Sequence, residues 1–470
     1  MRKLTAACAV ACTTGALLAG APAGAAAPAF TTRVVATGLD NPWEITSGPD
    51  GYLWVTEKSA ARVTRVRPSD GAKVPAATIT EAVVTPGAQD GLLGMALHPD
   101  LLRTPTNQFV YLAYTYDADP APTVVTERTK IARYTYDAVT QTLGGRLDLL
   151  TGMPASPDHD SGRLVFGPDG KLYYTIGDQG NNQFSRACRP IQAQTLPTAA
   201  QVAARDWTAY QGKVLRLNPD GSVPPDNPVL AGVRSHVFSY GHRNAQGLVF
   251  GANGRLYSSE QGPKTDDEIN LIRAGRNYGW PRVVGYRDGN SYVYANWSAS
   301  VGVPCSALTY SDYAIPPSVP TLAEGTFTDP AYAYPMRTLY SVANGYNFQD
   351  PRCAAGGRYN ICWPTVAASG LDVYDAADGV PGWQNSLLMP ALKSGAVFRV
   401  PLSADGAQVT GGPVAQFRTV NRYRDTALGP DHRTFYVATD RSGPTRDLAG
   451  APTTALANPG AILEFRYVAG

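Results

Sequence analysis

The sequence has few charged residues and no excess of either sign. Charged residues make up 17% of its 470 residues. When Arg2 and Lys3 are set aside with an N-terminal leader, the remaining Lys and Arg equal the 38 Asp and Glu. A neutral chain without a basic run offers no electrostatic reason to bind nucleic acid or an anionic membrane. We therefore expect neither partner.

Long apolar runs are also lacking, except at the N-terminus. There, Arg2 and Lys3 precede a run of small apolar residues to Gly20, followed by Ala-rich sequence up to residue 27. A positive start, an apolar run and a small-residue cleavage region are typical of a secretory signal. We predict a signal peptide over residues 1–27, no membrane span, and a secreted protein, extracellular or periplasmic.

Cysteine is scarce, with six in the chain, and Cys8 and Cys12 fall inside the predicted signal. An exported chain permits disulfides among the other four. Cys353 and Cys362 enclose a short loop and are the favoured pair. Cys188 and Cys305 are then the two cysteines that remain. Nothing else in the sequence supports their pairing, which stays open.

A turn-and-strand motif recurs along the chain. It occurs at 48–57, 167–176 and 251–260, with a looser copy from Gly429. Each copy is a Pro-Asp or Asn-Gly turn followed by alternating aromatic residues, with a second apolar run before the turn. Helix patterns are scarce apart from 199–205. The repeats predict an all-β propeller in one domain, 28–470, with long loop inserts such as 290–335, and the length of this domain fits a six-bladed propeller with enlarged blades.

The segment Asp158-His159-Asp160 stands out as a candidate catalytic site, because the chain has only five histidines. An imidazole titrates at about pH 6.5, and a neighbouring carboxylate can make it a general base. A histidine in a surface turn, paired with an acid, would look the same. The motifs Gly177-Asp178-Gln179-Gly180, Gly241-His242-Arg243-Asn244, 261–263 and 421–425 favour a site.

Six blocks in order, 89–99, 158–183, 210–228, 241–250, 260–281 and 421–425, together resemble the soluble PQQ-dependent glucose (aldose) dehydrogenases of bacteria. The resemblance runs from about Gly38 to Tyr467. It implies a six-bladed propeller that binds pyrroloquinoline quinone (PQQ) at one end of its central channel. It also implies oxidation of an aldose at C1 to a lactone, with electrons passing to an external acceptor.

The resemblance also implies roles for individual residues. His159 would be the base, Asp158 would orient it, and Arg243 would stabilise charge on the reduced cofactor. The implied sugar contacts are Gln89, Gln183, Trp363 and Tyr359. The implied PQQ contacts are Gln89, His159, Arg243, Asn244, Lys393, Arg422 and Arg424. The last two alternate along the sequence, so on a strand both guanidinium groups face one side, where they suit a tricarboxylate.

Calcium is implied twice by the same resemblance. Carbonyl oxygens of Gly262 and Pro263 would bind an ion at the PQQ site, since calcium prefers oxygen ligands. A second calcium site, near a contact between two subunits of a possible homodimer, would use Asp267, Glu268, Tyr278, Tyr286, Asp288 and Glu324. Taken alone, the acidic run 266–268 is more typical of a solvated turn.

One loop departs from the pattern of the family, in which a tyrosine of the sugar pocket directly precedes Ile-Cys-Trp-Pro. In this chain Asn360 stands between Tyr359 and Ile361. We expect Tyr359 to be displaced and Asn360 to lie nearer its position. Two other functions remain open: a calcium-bearing propeller hydrolase such as a lactonase, and a sugar-binding propeller without a cofactor. The preferred sugar and the electron acceptor are not evident from the sequence.

Overall fold

The computed structural model describes residues 28–119, 121 and 124–469. The predicted signal peptide, 1–27, lies outside the described residues. Within them, strands dominate, and no helix is long and apolar enough to cross a membrane.

Six four-stranded antiparallel sheets form the blades, which we number 1 to 6. The strands of each blade follow in order from the innermost to the outermost. Blade 1 has Pro42–Ser47, Leu53–Glu57, Arg62–Val66 and Lys73–Thr78. Blade 2 has Leu92–Leu97, Phe109–Asp117, Glu127–Asp137 and Thr142–Pro154. Blade 3 has Ser161–Phe166, Leu172–Ile176, Lys213–Leu217 and Val237–Tyr240. Blade 4 has Ala245–Phe250, Leu256–Glu260, Asp267–Ile272 and Arg337–Leu339. Blade 5 has Asp372–Tyr374, Ser386–Pro390, Val397–Pro401 and Val414–Gln416. Blade 6 has Tyr423–Leu428, Thr434–Thr439, Ile462–Val468 and Ala29–Ala36.

Blade 6 joins the two ends of the chain. Its outermost strand, Ala29–Ala36, pairs with the last strand, Ile462–Val468, so that Ala29 faces Val468. An N-terminal strand that completes the last sheet ties the ring closed through backbone hydrogen bonds. The predicted six-bladed propeller is confirmed.

The recurring motif makes the hairpin between the first two strands of blades 1, 3, 4 and 6. In blade 1, Asp50 accepts hydrogen bonds from the backbone N–H of Tyr52 (3.2 Å) and the indole of Trp54 (3.1 Å). Gly51 takes the positive φ of 76° that the turn needs. Asp169 in blade 3 likewise binds the hydroxyl of Tyr173 at 2.9 Å. The aspartate thus fixes both the turn and the aromatic strand after it.

The apolar core lies between neighbouring blades. Between blades 2 and 3, Tyr111 and Ile131 pack against Leu172, Tyr174 and Leu215, all inaccessible to solvent. Burying one such leucine contributes about 1.5–3 kcal/mol. Equivalent clusters join the other blades, so the ring is stiffened at each blade interface.

The connections contain the few helices and short strand pairs. The α-helices are Ala199–Ala204, close to the prediction, and Tyr359–Cys362; the 3-10 turns are Phe184–Arg186, Thr208–Tyr210, Trp297–Ala299, Cys305–Ala307, Glu324–Thr326, Pro351–Cys353 and Ala355–Gly357. Two-residue strands pair as Val229–Leu230 with Val233–Arg234, Tyr294–Ala295 with Thr321–Leu322, and Thr445–Arg446 with Pro452–Thr453. A disulfide joins Cys353 to Cys362, which confirms the favoured pair, and a second joins Cys188 to Cys305, the pairing that the sequence left open.

The innermost strands of all six blades surround a central channel. Toward their carboxyl ends they line a cavity of about 910 Å³. Its inner end holds buried charges: one guanidinium nitrogen of Arg163 contacts Glu44 at 2.5 Å and Asp425 at 2.8 Å. Because burial of unpaired ions is costly, this cluster depends on its internal pairing.

Candidate active site

The predicted site residues gather at the end of the channel opposite this cavity. His159, Arg243 and Asn244 come just before innermost strands, and Gln89 precedes the innermost strand of blade 2. Adjacent strands are antiparallel, so a residue that follows a second strand reaches the same end. Asp178 follows the second strand of blade 3 in this way. Residues distant in sequence are therefore brought to one face.

His159 is buried and held by a carboxylate that the sequence reasoning did not assign. Its Nδ1 lies 2.7 Å from Oδ1 of Asp178, while Asp158 is 3.7 Å from Nε2. Asp178, not Asp158, therefore orients the ring. An acceptor on Nδ1 fixes the proton there and leaves Nε2 free to accept another. The motif at 177–180 was a signal for this residue, because its aspartate lies two residues after the strand that ends at Ile176.

The backbone around this pair is closely packed. His159 has a φ of 53°, in the left-handed region that non-glycine residues rarely adopt. A Cβ on Gly177 would lie 1.9 Å from the carbonyl oxygen of His159. Gly177 therefore lets the second strand of blade 3 run directly against the histidine backbone, which brings Asp178 within reach of the ring.

Amide side chains surround the open side of the imidazole. Gln89 donates to Asp158 at 2.5 Å, and Gln183 donates to the other oxygen of that carboxylate at 3.0 Å. The amide nitrogen of Gln183 also lies 3.5 Å from Nε2 of His159. Asn244 donates to Gln89 at 3.4 Å. The structure thus brings these predicted contacts together in one hydrogen-bonded group that can bind hydroxyl groups.

Arg243 lies beside the same group. Its Nη1 donates to the carbonyl oxygens of Gln261 and Gly262, each at 3.1 Å, and its Nη2 donates to Gln183 at 3.3 Å. Its guanidinium sits 5.3 Å from the ring centre of Trp280. The buried Nε has no hydrogen-bond partner among the described residues. Arg243 thus retains a donor for a ligand.

Arg422 lies just before the innermost strand of blade 6 and Arg424 lies within it, and their guanidinium groups meet at one carboxylate. Both bind Asp440, at 3.0 Å and 2.9 Å. Burial alone would raise the pKa of Asp440, but Arg424 and Arg422 together lower it. One carboxylate against two guanidinium groups leaves positive charge at this edge of the site. This donor set fits an anionic, carboxylate-bearing ligand.

Lys393 is buried behind the loop that contains the short disulfide. Its Nζ donates to the carbonyl oxygen of Asn360 at 2.7 Å and to the hydroxyl of Thr365. Burial lowers the pKa of Lys393 to about 7, although Asp267 opposes the shift. An anion bound beside this amine would favour its charged form.

The predicted aromatic wall comes from the same loop. Trp363 is buried, and its indole donates to the carbonyl oxygen of Phe348 at 3.1 Å. Tyr359 is half-buried, with its ring 6.1 Å from that of Tyr313. Asn360 is exposed, and its carbonyl binds Lys393. The extra residue therefore supports Lys393 through its backbone; whether Tyr359 or Asn360 contacts a sugar stays a prediction.

The turn at Gly262 and Pro263 is fixed by Asp267. One oxygen of this carboxylate accepts from the N–H of Gly262 at 2.9 Å, and the other accepts from the N–H of Val366 at 2.7 Å. The carbonyl of Gly262 faces Arg243, so it already contacts a cation. Asp267 thus supports the predicted calcium turn, and a Ca²⁺ on the Gly262 carbonyl would compete with Arg243.

The other residues predicted for calcium are only partly brought together. Glu268 and Glu324 bind backbone N–H groups of the loop 284–289, at Gly285 (2.6 Å) and Val284 (2.9 Å). This loop carries Tyr286 and Asp288. The hydroxyl of Tyr278 is engaged elsewhere, on the carbonyl of Leu271 at 2.6 Å. Among the described residues, no three Asp, Glu, His or Cys side chains converge to hold a metal.

Asp266, which was not among the predicted ligands, lies against the same loop. Its Oδ1 is buried without a hydrogen-bond partner in the part of the chain that the structure describes. Burial, with a smaller contribution from Asp288, raises its pKa to about 6. An orphan carboxylate oxygen is compatible with a cation at this loop.

The chain is similar to known proteins in sequence and in fold. The family described as Glucose / Sorbosone dehydrogenase matches residues 39–329 and 331–446. The quinoprotein glucose dehydrogenase B of Acinetobacter calcoaceticus is 43% identical, over 94% of this chain and 91% of that protein. The aldose sugar dehydrogenase YliI of Escherichia coli is 28% identical, over 89% and 92%. The PQQ-bound aldose sugar dehydrogenase of Streptomyces coelicolor superposes with a TM-score of 0.61 at 25% identity, covering 94% of this chain and 99% of that chain.

Proposed function

Because the chain belongs to the glucose/sorbosone dehydrogenase family, we propose that it is a secreted, PQQ-dependent aldose 1-dehydrogenase that converts a sugar to its lactone. The observation that carries the proposal is the His159–Asp178 pair (2.7 Å) at the end of the propeller that also holds Arg243, Lys393, Arg422 and Arg424. The names of its relatives support a quinone cofactor and a sugar substrate.

The residues can perform the proton transfer that this reaction needs. With Nδ1 bound to Asp178, Nε2 of His159 is free to take the proton of the C1 hydroxyl. Asp178 then stabilises the imidazolium. Gln89, Asp158 and Gln183 lie where they can bind the sugar hydroxyls and orient C1. When bound, PQQ supplies the two-electron acceptor for the C1 hydride, and electrons then pass to an external acceptor.

Cofactor binding would be divided among residues from several blades. Arg422 and Arg424 would bind PQQ carboxylates, and Lys393 would add a third cation. Arg243, with its free Nε, would bind beside the quinone oxygens. Asn244 and Gln89 complete the donor set. Ca²⁺ held by the Gly262 and Pro263 carbonyls would polarise a quinone oxygen. Asp266, Glu268, Asp288 and Glu324 are candidates for a second ion, beside a possible subunit contact.

A reconstitution assay tests the proposal and separates its rivals. Purified apoprotein is mixed with PQQ and Ca²⁺, and aldoses are supplied with a redox dye. We expect dye reduction that needs both additions and yields the lactone. Lactone hydrolysis without PQQ would instead show a hydrolase. Sugar binding without turnover in the presence of PQQ would show a binding protein. Either result would reject the dehydrogenase.

A further inference from the structure

We propose that Trp280 is a positioning residue for the catalytic histidine and acts through Asp178. The indole Nε1–H of Trp280 donates to Oδ2 of Asp178 at 2.8 Å. The other oxygen, Oδ1, binds Nδ1 of His159 at 2.7 Å and the N–H of Gly180 at 2.9 Å. Both oxygens are engaged, so the carboxylate cannot rotate without losing a partner. The role of Trp280 in turnover rests on the proposed function.

The tryptophan reaches Asp178 from another blade. Trp280 belongs to the long insert of blade 4, whereas Asp178 and His159 belong to blade 3. Its backbone is fixed on blade 3, because its N–H donates to the carbonyl of Gly241 (2.9 Å) and its carbonyl accepts from Gln194 (2.7 Å). The backbone of Trp280 is therefore anchored through both its N–H and its carbonyl, and this fixes the position of the indole. Its position depends on the packing of the two blades.

The indole N–H can donate but cannot take up a proton at neutral pH. It therefore stabilises the carboxylate form of Asp178 and draws charge away from the oxygen that faces His159. Two other charged groups face the ring: Asp158, 3.7 Å from Nε2, and Arg243, which acts through Gln183. Loss of the indole donor leaves these unchanged and makes Asp178 a stronger partner for the imidazolium. His159 should then hold its proton to higher pH.

The same indole also touches the second half of the site. Its ring lies 5.3 Å from the guanidinium of Arg243 and borders a cavity of about 320 Å³ that Gln183 and Pro263 also line. A phenylalanine would keep an aromatic ring near Arg243, but it removes part of the bicyclic ring together with the N–H donor. The loss of ring volume is therefore matched by Trp297→Phe, and 3-benzothienylalanine at position 280, which keeps the bicyclic shape, removes the donor to Asp178 alone.

The test compares two tryptophans of one cavity wall. Trp297 lines the same cavity and is buried, with its ring 5.2 Å from that of Tyr310. Trp297→Phe removes an indole of equal size and serves as the control. In reconstituted enzyme, we expect Trp280→Phe to lower kcat about tenfold. The acid limb of kcat/KM against pH should move up by roughly half a pH unit or more. KM and PQQ affinity should change little.

A second measurement does not need activity. The five histidines can be labelled with ¹³C at Cε1 and titrated by NMR in the apoprotein. The His159 signal should titrate at higher pH in Trp280→Phe and at lower pH in Asp178→Asn, since the amide removes the negative charge. The double variant should match Asp178→Asn alone. If Trp280→Phe does not fold, 3-benzothienylalanine at position 280 keeps the ring shape and lacks the N–H.

The outcomes separate the two proposals. If wild-type protein oxidises no aldose but Trp280→Phe still shifts the His159 titration, the proposed function fails and the positioning role stands. If the titration and the acid limb are unchanged, or change equally in Trp297→Phe, the positioning role is wrong. Additive shifts in the double variant would also overturn it, because Trp280 would then act by a route other than Asp178.

Discussion

Replacement of Asp372 by Asn should stabilise the protein, and only above mildly acidic pH. Asp372 lies near the buried charges of the central channel. Arg163 there contacts Glu44 and Asp425, whereas Asp372 accepts a hydrogen bond from the hydroxyl of Thr426 at 2.6 Å. Asp372 thus lacks the direct guanidinium contact that compensates its neighbours. An amide can accept the same hydrogen bond without carrying charge.

The size and sign of the effect follow from the pKa. Burial, then repulsion from Asp425, raises the pKa of Asp372 to about 7. In the unfolded chain the value is about 3.9. Such a pKa difference corresponds to roughly 4 kcal/mol in the free energy of unfolding. This stability is lost progressively as pH rises from about 4 to about 7. Asp372 also borders the 910 Å³ cavity, where water screens the charge. We therefore expect a smaller effect, about 1–2 kcal/mol.

The assay is urea denaturation of the apoprotein at pH 4.5 and pH 8. Asp372→Asn should match the parent at the lower pH and exceed it by about 1–2 kcal/mol at the higher pH. Thr426→Val is the matched control, because it removes the donor that favours the charged carboxylate and should steepen the loss with pH. Equal destabilisation by Asp372→Asn at both pH values would refute the reasoning.

Four further predictions concern the site. His159→Ala should keep PQQ bound but lower turnover by about 10² to 10⁴; near-normal turnover would remove His159 as the base. Arg422→Ala or Arg424→Ala should chiefly weaken PQQ binding, by about 1.5–3 kcal/mol each, in a titration of apoprotein; unchanged half-saturation in both would place these arginines away from the cofactor. Chelation should abolish dye-linked activity and lower the melting temperature, with both restored by Ca²⁺; full activity after exhaustive chelation would exclude a calcium-dependent site. Deletion of Asn360 should change the ranking of aldoses and, because its carbonyl binds Lys393, also weaken PQQ binding; an unchanged ranking and unchanged affinities would show that the insertion sets neither.

The propeller could be predicted because its determinants are local. The aspartate or asparagine of each repeated turn binds groups two to four residues later, as Asp50 does with Tyr52 and Trp54 and Asn253 does with Arg255 and Tyr257. Such short-range patterns appear directly in the sequence. That Arg422 and Arg424 reach the same place was predictable for the same reason, since residues two apart in an extended segment tend to share a side.

The carboxylates that complete the site could not be predicted in this way. Asp440 lies sixteen residues beyond Arg424, and the two meet only because antiparallel strands return to the same end. Asp178 has the same relation to His159. The acid adjacent in sequence, Asp158, was the natural choice for orienting His159. In a strand hairpin, however, the side chain of a residue on the opposite strand can lie closer to a given side chain than that of its neighbour in sequence.

The contact between Trp280 and Asp178 joins residues that lie even farther apart in the sequence. Trp280 contacts Asp178 only because the insert of blade 4 packs over blade 3, which no periodicity in the sequence reports. The buried carboxylates of this site each bind donors from different parts of the fold: Asp440 binds two arginines, and Asp178 binds a histidine, a backbone amide and an indole. A buried carboxylate needs several donors to stay charged. The hydrogen-bond donors around a carboxylate therefore show whether the site depends on it. They show this more directly than the position of the acid in the sequence does.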